Sequence, residues 1–163
     1  MEDAARKKTV RLPRYDYSSV GAYFVTVCTV KKQPFLGNVV GGGVLDAPYV
    51  RLSECGRIAE QVLLEMDSFY EDISVDKYVV MPNHVHFILT IRESCRPSRT
   101  PAPTNARLPA FISTWKRFTN RKAGTQMWQR GYYDHIIRNE ADYRRIWQYA
   151  DENPAHWAED EYY

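Results

Sequence analysis

Residues 73–91, ISVDKYVVMPNHVHFILTI, constrain the fold of this 163-residue chain more than any other stretch. Residues 73–81 and 85–91 are rich in apolar and β-branched side chains, and Pro82-Asn83 separates them, a turn pair that suits antiparallel neighbours. Side chains alternate across a strand, so Val85, Phe87 and Leu89 point one way while His84 and His86 point the other. The apolar set can anchor the strand in a core. The two imidazoles then lie side by side on the opposite face, the arrangement needed to hold one metal ion with two nitrogens.

The pattern on either side extends this pair into a sheet. Residues 21–30 (GAYFVTVCTV) alternate aromatic and β-branched side chains as a half-buried strand does. A Gly-rich stretch with Gly41-Gly42-Gly43 follows and reads as the tip of a small hairpin, since no GK[ST] comes after it to make a phosphate loop. From Ser53 to Phe69, Ile58, Val62 and Met66 recur every four residues beside Ala59 and Leu63, which predicts a helix with one apolar face. Phe111, Ile112, Trp115 and Phe118 predict a second amphipathic helix. A short strand ending in His135-Ile136-Ile137 follows, and Asn139 sits where a helix N-cap belongs. The last helix is expected to stop at Asn153-Pro154, because a residue before proline avoids the helical region.

The predicted order β, hairpin, α, β, β, α, β, α is α+β in class. It fits a split βαβ plan of ferredoxin or RRM type, an antiparallel sheet with helices on one face plus a C-terminal helix. One domain over residues 1–163 is expected, with a basic arm at 1–14, a Pro- and Arg-rich mobile linker at 93–107 and an acidic tail at 155–163.

Composition excludes some classes and hides a feature of another. No apolar run approaches the ~20 residues of a membrane helix, and the first residues lack the apolar stretch of a secretory signal, so a cytoplasmic location is expected. Cys28, Cys55 and Cys95 lie far apart and read as structural thiols. The net charge is only +2, yet by segment it runs +3 over 1–14, −4 over 15–91, +8 over 92–138 and −5 over 139–163. Blocks of one sign are what a polyanion-binding face requires.

Near the C-terminus, QYADENP places Tyr149 and Asn153 at i and i+4, where their β-carbons are neighbours on one helix face. The pair lies at the edge of the apolar stripe, where it can face a cleft between helix and sheet. Taken together, MPNHVHFIL at 81–89, WQRGYYDHIIRNEADYRRI at 128–146 and QYADENP at 148–154 resemble the single-tyrosine HUH transposases. Within that group the chain is most similar to the REP-associated tyrosine transposases, which are related to small insertion-sequence (IS200-like) transposases. The likeness runs from the Tyr23 strand to Pro154.

The resemblance implies that His84 and His86 are metal ligands, that Asn153 is the third protein ligand, and that Tyr149 is the nucleophile. It implies Mg²⁺ or Mn²⁺ as cofactor and single-stranded DNA carrying a REP-like hairpin as substrate, cut through a 5′-phosphotyrosine intermediate. His135 belongs to the pattern as a residue that assists the phosphate or holds structure. Backbone contacts to DNA are then expected from Arg6, Lys7, Lys8, Arg11 and Arg14 of the arm and from Lys116, Arg117, Arg121, Lys122 and Arg130 of the basic block, with Tyr132 and Tyr133 stacking on unpaired bases. Both a monomer and a homodimer that exchanges tyrosines are compatible with the sequence.

Two rivals remain at this point. A non-catalytic RRM-like module that only holds single-stranded nucleic acid accounts for charge and aromatics but leaves His84, His86, Tyr149 and Asn153 without a purpose. A histidine-triad hydrolase would need a third alternate histidine where the chain has Ile88.

Overall fold

The structure is a computed structural model that describes residues 20–93 and 107–160. The basic arm, nearly all of the 93–107 linker and residues 161–163 lie outside the described residues, and with them Arg6, Lys7, Lys8, Arg11, Arg14 and Cys95.

Six strands and three α-helices follow in the expected order: β1 (Gly21–Cys28), β2 (Gly37–Val40), β3 (Tyr49–Leu52), α1 (Glu54–Glu65), β4 (Ile73–Met81), β5 (His84–Ile91), α2 (Arg107–Ala123), β6 (Tyr133–Ile137) and α3 (Glu140–Glu152). Four strands form one antiparallel sheet in the order β4-β5-β1-β6, and β2 with β3 makes a separate hairpin. Apart from that hairpin, the spatial order is the split βαβ arrangement. The α+β class and the sheet are therefore as expected.

Alternation decides the two faces. Tyr23, Val25 and Val27 of β1 and Val85, Phe87, Leu89 and Ile91 of β5 are buried in one core with Ala59, Val62 and Leu63 of α1 and Phe111, Ile112 and Trp115 of α2. Burying a large aliphatic or aromatic side chain contributes about 1.5–3 kcal/mol, so this layer is the main source of stability. Both of its indoles are satisfied: Trp115 donates to Ala59 O (3.1 Å) and Trp128 to Thr119 Oγ1 (2.6 Å).

Helix α1 is seated by a close approach. The Ser53 hydroxyl caps it by accepting from Gly56 N (3.1 Å), and Ser53 N donates to Leu36 O (2.9 Å). A Cβ at Gly56 would stand 2.0 Å from Leu36 O and 3.2 Å from Leu52 Cβ. We expect Gly56→Ala to lower stability by about 1–3 kcal/mol, as overpacking does elsewhere. Chemical denaturation measures it, and an unchanged midpoint would show that the backbone at Leu36 yields freely.

Helix α3 packs on the opposite face. A bulge between Val75 and Lys77 turns Asp76 toward it, and that carboxylate accepts from Ser74 (2.8 Å), Thr90 (2.5 Å) and Tyr143 of α3 (3.1 Å). Lys77 reaches the same helix through an ion pair with Asp151 and lies 5.1 Å from the centre of the Trp147 ring. Asn139 caps α3 as its position suggests, accepting from Asp142 N (2.8 Å). The α-helix stops where expected, at Glu152 with Asn153 as its C-cap, but the chain does not trail off as a tail: it continues as a 3-10 turn over Asn153–Glu159. Proline is tolerated there because it stands in the first turn, where its missing N–H has no helical partner to lose. The 3-10 turn brings residues expected to be tail back onto the sheet.

Candidate active site

The face under α3 carries His84 and His86. Pairing sets them: Thr26 of β1 lies opposite His86, and the Thr26 hydroxyl is 2.7 Å from His86 Nδ1. The Asn83 side-chain oxygen is 2.8 Å from His84 Nδ1. With both Nδ1 atoms engaged, Nε2 of each ring is the nitrogen set for coordination, as partners of this kind do for ligating histidines. The ring centres are 4.4 Å apart, and both residues are essentially fully buried.

Asp160 closes the cluster. Its carboxylate is 3.7 Å from His84 Nε2, its side chain is 1% exposed, and one ligand atom from each of His84, His86 and Asp160 lies within 4.8 Å of the others. Asn153, 2% exposed, donates from Nδ2 to Asp160 Oδ2 (3.2 Å), while its Oδ1 is buried without a hydrogen-bond partner. Two imidazole nitrogens, one carboxylate and an unsatisfied amide oxygen form a donor set that fits a divalent cation. Asp160 was not among the candidates from sequence; the only signal was its place in an acidic run, which reads as a solvated tail.

Burial, the largest influence, lowers the His84 pKa to about 4 against the opposing pull of Asp160 and Asn153, and holds His86 well below its ordinary value. Both rings are therefore neutral near pH 7, the form that binds metal. In the unfolded chain they titrate near 6.5, so between about pH 4 and 6.5 the unfolded state binds more protons than the folded one. Stability must then rise with pH across that window and level off above it. We expect the urea midpoint of the metal-free protein to fall on going from pH 7 to pH 5; equal midpoints at the two values would contradict the buried neutral pair.

Tyr149 stands at the mouth of the site, 42% exposed, its ring 5.5 Å from that of His86 and 6.0 Å from that of Phe24. A cleft of about 610 Å³ opens here, lined by Phe24, His86, His135, Arg145, Tyr149 and Asp160 among others. His135 lies opposite Phe24 on β6, and its Nε2 is 2.8 Å from Asp142 Oδ2. Arg145 donates to the other oxygen of Asp142 (2.5 Å). These two contacts, Arg145 before His135, hold the Asp142 carboxyl down at about 2. Asp142 and Arg145 were not picked out from sequence.

The structure brings His84, His86, Tyr149, Asn153 and His135 to one face, all from a single chain. It does not bring the α2 part of the basic block there. Helix α2 packs on the other face of the sheet, and Lys122 pairs with Glu65 (3.1 Å) while Arg117 lies 5.4 Å from the centre of the Phe118 ring. Two expected DNA contacts are corrected. Lys116 donates to the carbonyls of Gln129 (2.8 Å) and Gly131 (2.7 Å), and burial lowers its pKa to about 8, so it braces the 129–131 loop from inside. Tyr132 is 7% exposed and cannot serve as a stacking surface. Tyr133 (37% exposed), Arg121 and Arg130 remain on the surface.

Among the described residues, no helix is long and apolar enough to cross a membrane. No family model matches the chain. An uncharacterized protein of Haemophilus influenzae is 29% identical over 175 residues, covering 96% of this chain and 93% of its own length. A REP-associated tyrosine transposase of Escherichia coli is 31% identical over 84 residues, which is 49% of this chain and 43% of the relative. In fold, the chain is similar to the solved structure of a REP-associated tyrosine transposase bound to a REP hairpin, with a TM-score of 0.64 and 20% identity over 90% of this chain and 73% of that one.

Proposed function

We propose that this chain, similar in sequence and in fold to the REP-associated tyrosine transposases, is a single-domain, metal-dependent endonuclease and strand transferase of single-stranded DNA. Those relatives support a transposase-like role at the coarse level. The observation that carries the finer reading is the half-exposed Tyr149 phenol over a buried, neutral His84–His86 pair that shares its pocket with Asp160 and Asn153.

His84, His86 and Asp160 would hold the cation, with Asn153 Oδ1 as the further oxygen donor. Imidazole with oxygen ligands suits Mn²⁺ better than the purely oxygen-seeking Mg²⁺, though both belong to the reading. A bound cation supplies Lewis-acid polarisation of the phosphate and offsets charge on its oxygens. Tyr149 attacks phosphorus, its oxygen forms a bond to the 5′ phosphate as the bond to the 3′ oxygen breaks, and the 3′ hydroxyl is released. The phosphotyrosine conserves the diester bond energy, so a 3′ hydroxyl can reverse the step without a nucleotide cofactor. Arg145 and His135, both tied to Asp142, face the same cleft and can meet phosphate oxygens.

That Tyr149 meets His86 of its own chain supports a site complete within one subunit. The hairpin bound by the structural relative supports a hairpin as the recognised element, with the N-terminal arm and the surface cations Arg121 and Arg130 as backbone contacts. The test is direct: with Mn²⁺ or Mg²⁺ and an oligonucleotide carrying a hairpin beside a single-stranded extension, wild-type protein should form a DNA adduct that survives denaturing electrophoresis. Binding with no adduct in either metal would favour a non-catalytic module instead.

A further inference from the structure

Ring contacts run in sequence across the site. Tyr149 lies 5.5 Å from His86, His86 lies 4.4 Å from His84, and Trp157 lies 6.1 Å from His84 at the far end. Beside Trp157 is a second cleft of about 390 Å³, bounded by Lys32, Pro34, Asn38, Asn83 and Trp157 together with Val39 and Pro82. None of these residues is acidic. A cleft of similar size along α3 is lined by Glu140 and Asp151, so an acid-free wall is not the general condition of this surface.

The rim of the second cleft is held in an uncommon backbone conformation. Lys31 and Lys32 have φ of 54° and 53°, the left-handed region that residues with a side chain usually avoid. A dense set of bonds keeps them there: Lys32 N to Thr29 O (3.0 Å), Thr29 Oγ1 to Gln33 O (2.8 Å) and to Asn83 O (3.0 Å), and Asn83 Nδ2 to Lys32 O (3.3 Å). The turn thus ties Lys32 to the residue that precedes His84.

Displacement at phosphorus keeps the attacking and departing oxygens roughly in line. With Tyr149 at the His86 end, an in-line departure would carry the 3′ oxygen toward the His84 end, the side on which Trp157 lies. We propose that the second cleft holds the nucleotide on the 5′ side of the scissile phosphate, its base against Trp157 and its own phosphate near Lys32. This rests on the reading of Tyr149 as nucleophile. The balance is that of the step above: the tyrosine oxygen–phosphorus bond forms, the phosphorus–3′ oxygen bond breaks, and the phenol proton is made good on the 3′ oxygen. A strand that enters with a free 3′ hydroxyl to reverse the reaction must occupy the same cleft, which makes it the place where the acceptor end is selected.

The test uses full-length protein, Mn²⁺ and a hairpin oligonucleotide whose cleavage position has been mapped. Removing the base of the nucleotide 5′ to the cut should slow single-turnover adduct formation roughly ten-fold in wild type, the scale of one lost base–aromatic stack. Trp157→Ala should cost a similar factor, Trp157→Phe much less, and abasic DNA with Trp157→Ala should be no slower than either alone. A neutral methylphosphonate at the next 5′ linkage should slow wild type but not Lys32→Ala, a change on a different element from Asp160. If Trp157→Ala also loses its Mn²⁺-induced thermal shift, the Lys32 comparison decides. Penalties that multiply in both comparisons, or an abasic site without effect, overturn the cleft assignment alone. Failure of wild type to form any adduct overturns the nucleophile reading and the cleft with it.

Discussion

Tyr149→Phe should abolish covalent capture of DNA, by at least about four orders of magnitude in rate, while leaving hairpin affinity within a factor of about two to three. The substitution removes one oxygen and nothing else. The ring keeps its edge contact with Phe24 and its place 5.5 Å from His86, so neither the cleft nor the cluster beneath it is disturbed. With the side chain 42% exposed, the substitution falls on a solvent-accessible position, and thermal stability should change by less than about 1 kcal/mol. The measurement is adduct yield on a denaturing gel beside hairpin affinity at fixed salt. Undiminished adduct from Tyr149→Phe would transfer the nucleophile elsewhere, to Tyr133 first, since it lies opposite Thr26 on the same face of the sheet.

The second large effect concerns the metal. Mn²⁺ at about a hundred times its dissociation constant should stabilise wild type by about 2.7 kcal/mol, which for a domain of this size is a melting shift of about 5–10 °C. His84→Ala and His86→Ala should each lose that shift and lose cleavage, while hairpin binding persists. Folding damage is separable, since the metal-free melting temperature of each variant is read in the same experiment. The acid sensitivity described above should also flatten in these variants, because the group whose protonation opposes folding is gone. Asp160→Asn should weaken the Mn²⁺ response about 10–100-fold in concentration. A full Mn²⁺ shift in both histidine variants would make the pair a buried structural feature.

How the site came to be only partly legible follows from the kind of signal each residue leaves. His84 and His86 are two apart on one strand, so strand alternation alone puts them on one face. Tyr149 and Asn153 are one helical turn apart and equally visible. Thr26 and Asp160 leave no such trace: Thr26 reaches His86 across 60 residues of sequence through strand pairing, and Asp160 reaches His84 only because the chain past Pro154 keeps turning. Where the basic helix sits was hidden for the same reason. A +8 block between the histidines and the tyrosine in sequence implies proximity along the chain, yet α2 packs on the face of the sheet opposite the site.

The sequence by itself determined the elements, their order, the α+β class and the two local motifs, because periods of two and 3.6 residues, turn pairs and caps are written in neighbouring positions. Only the tertiary structure decided which face α3 covers, that a bulge at Asp76 anchors it there, that Asp160 joins the histidines, that Lys116 is spent on the 129–131 carbonyls and that Tyr132 is buried. Those outcomes depend on strand register and on which surfaces meet, where one residue of shift reverses every side chain; no pattern confined to a single segment contains them.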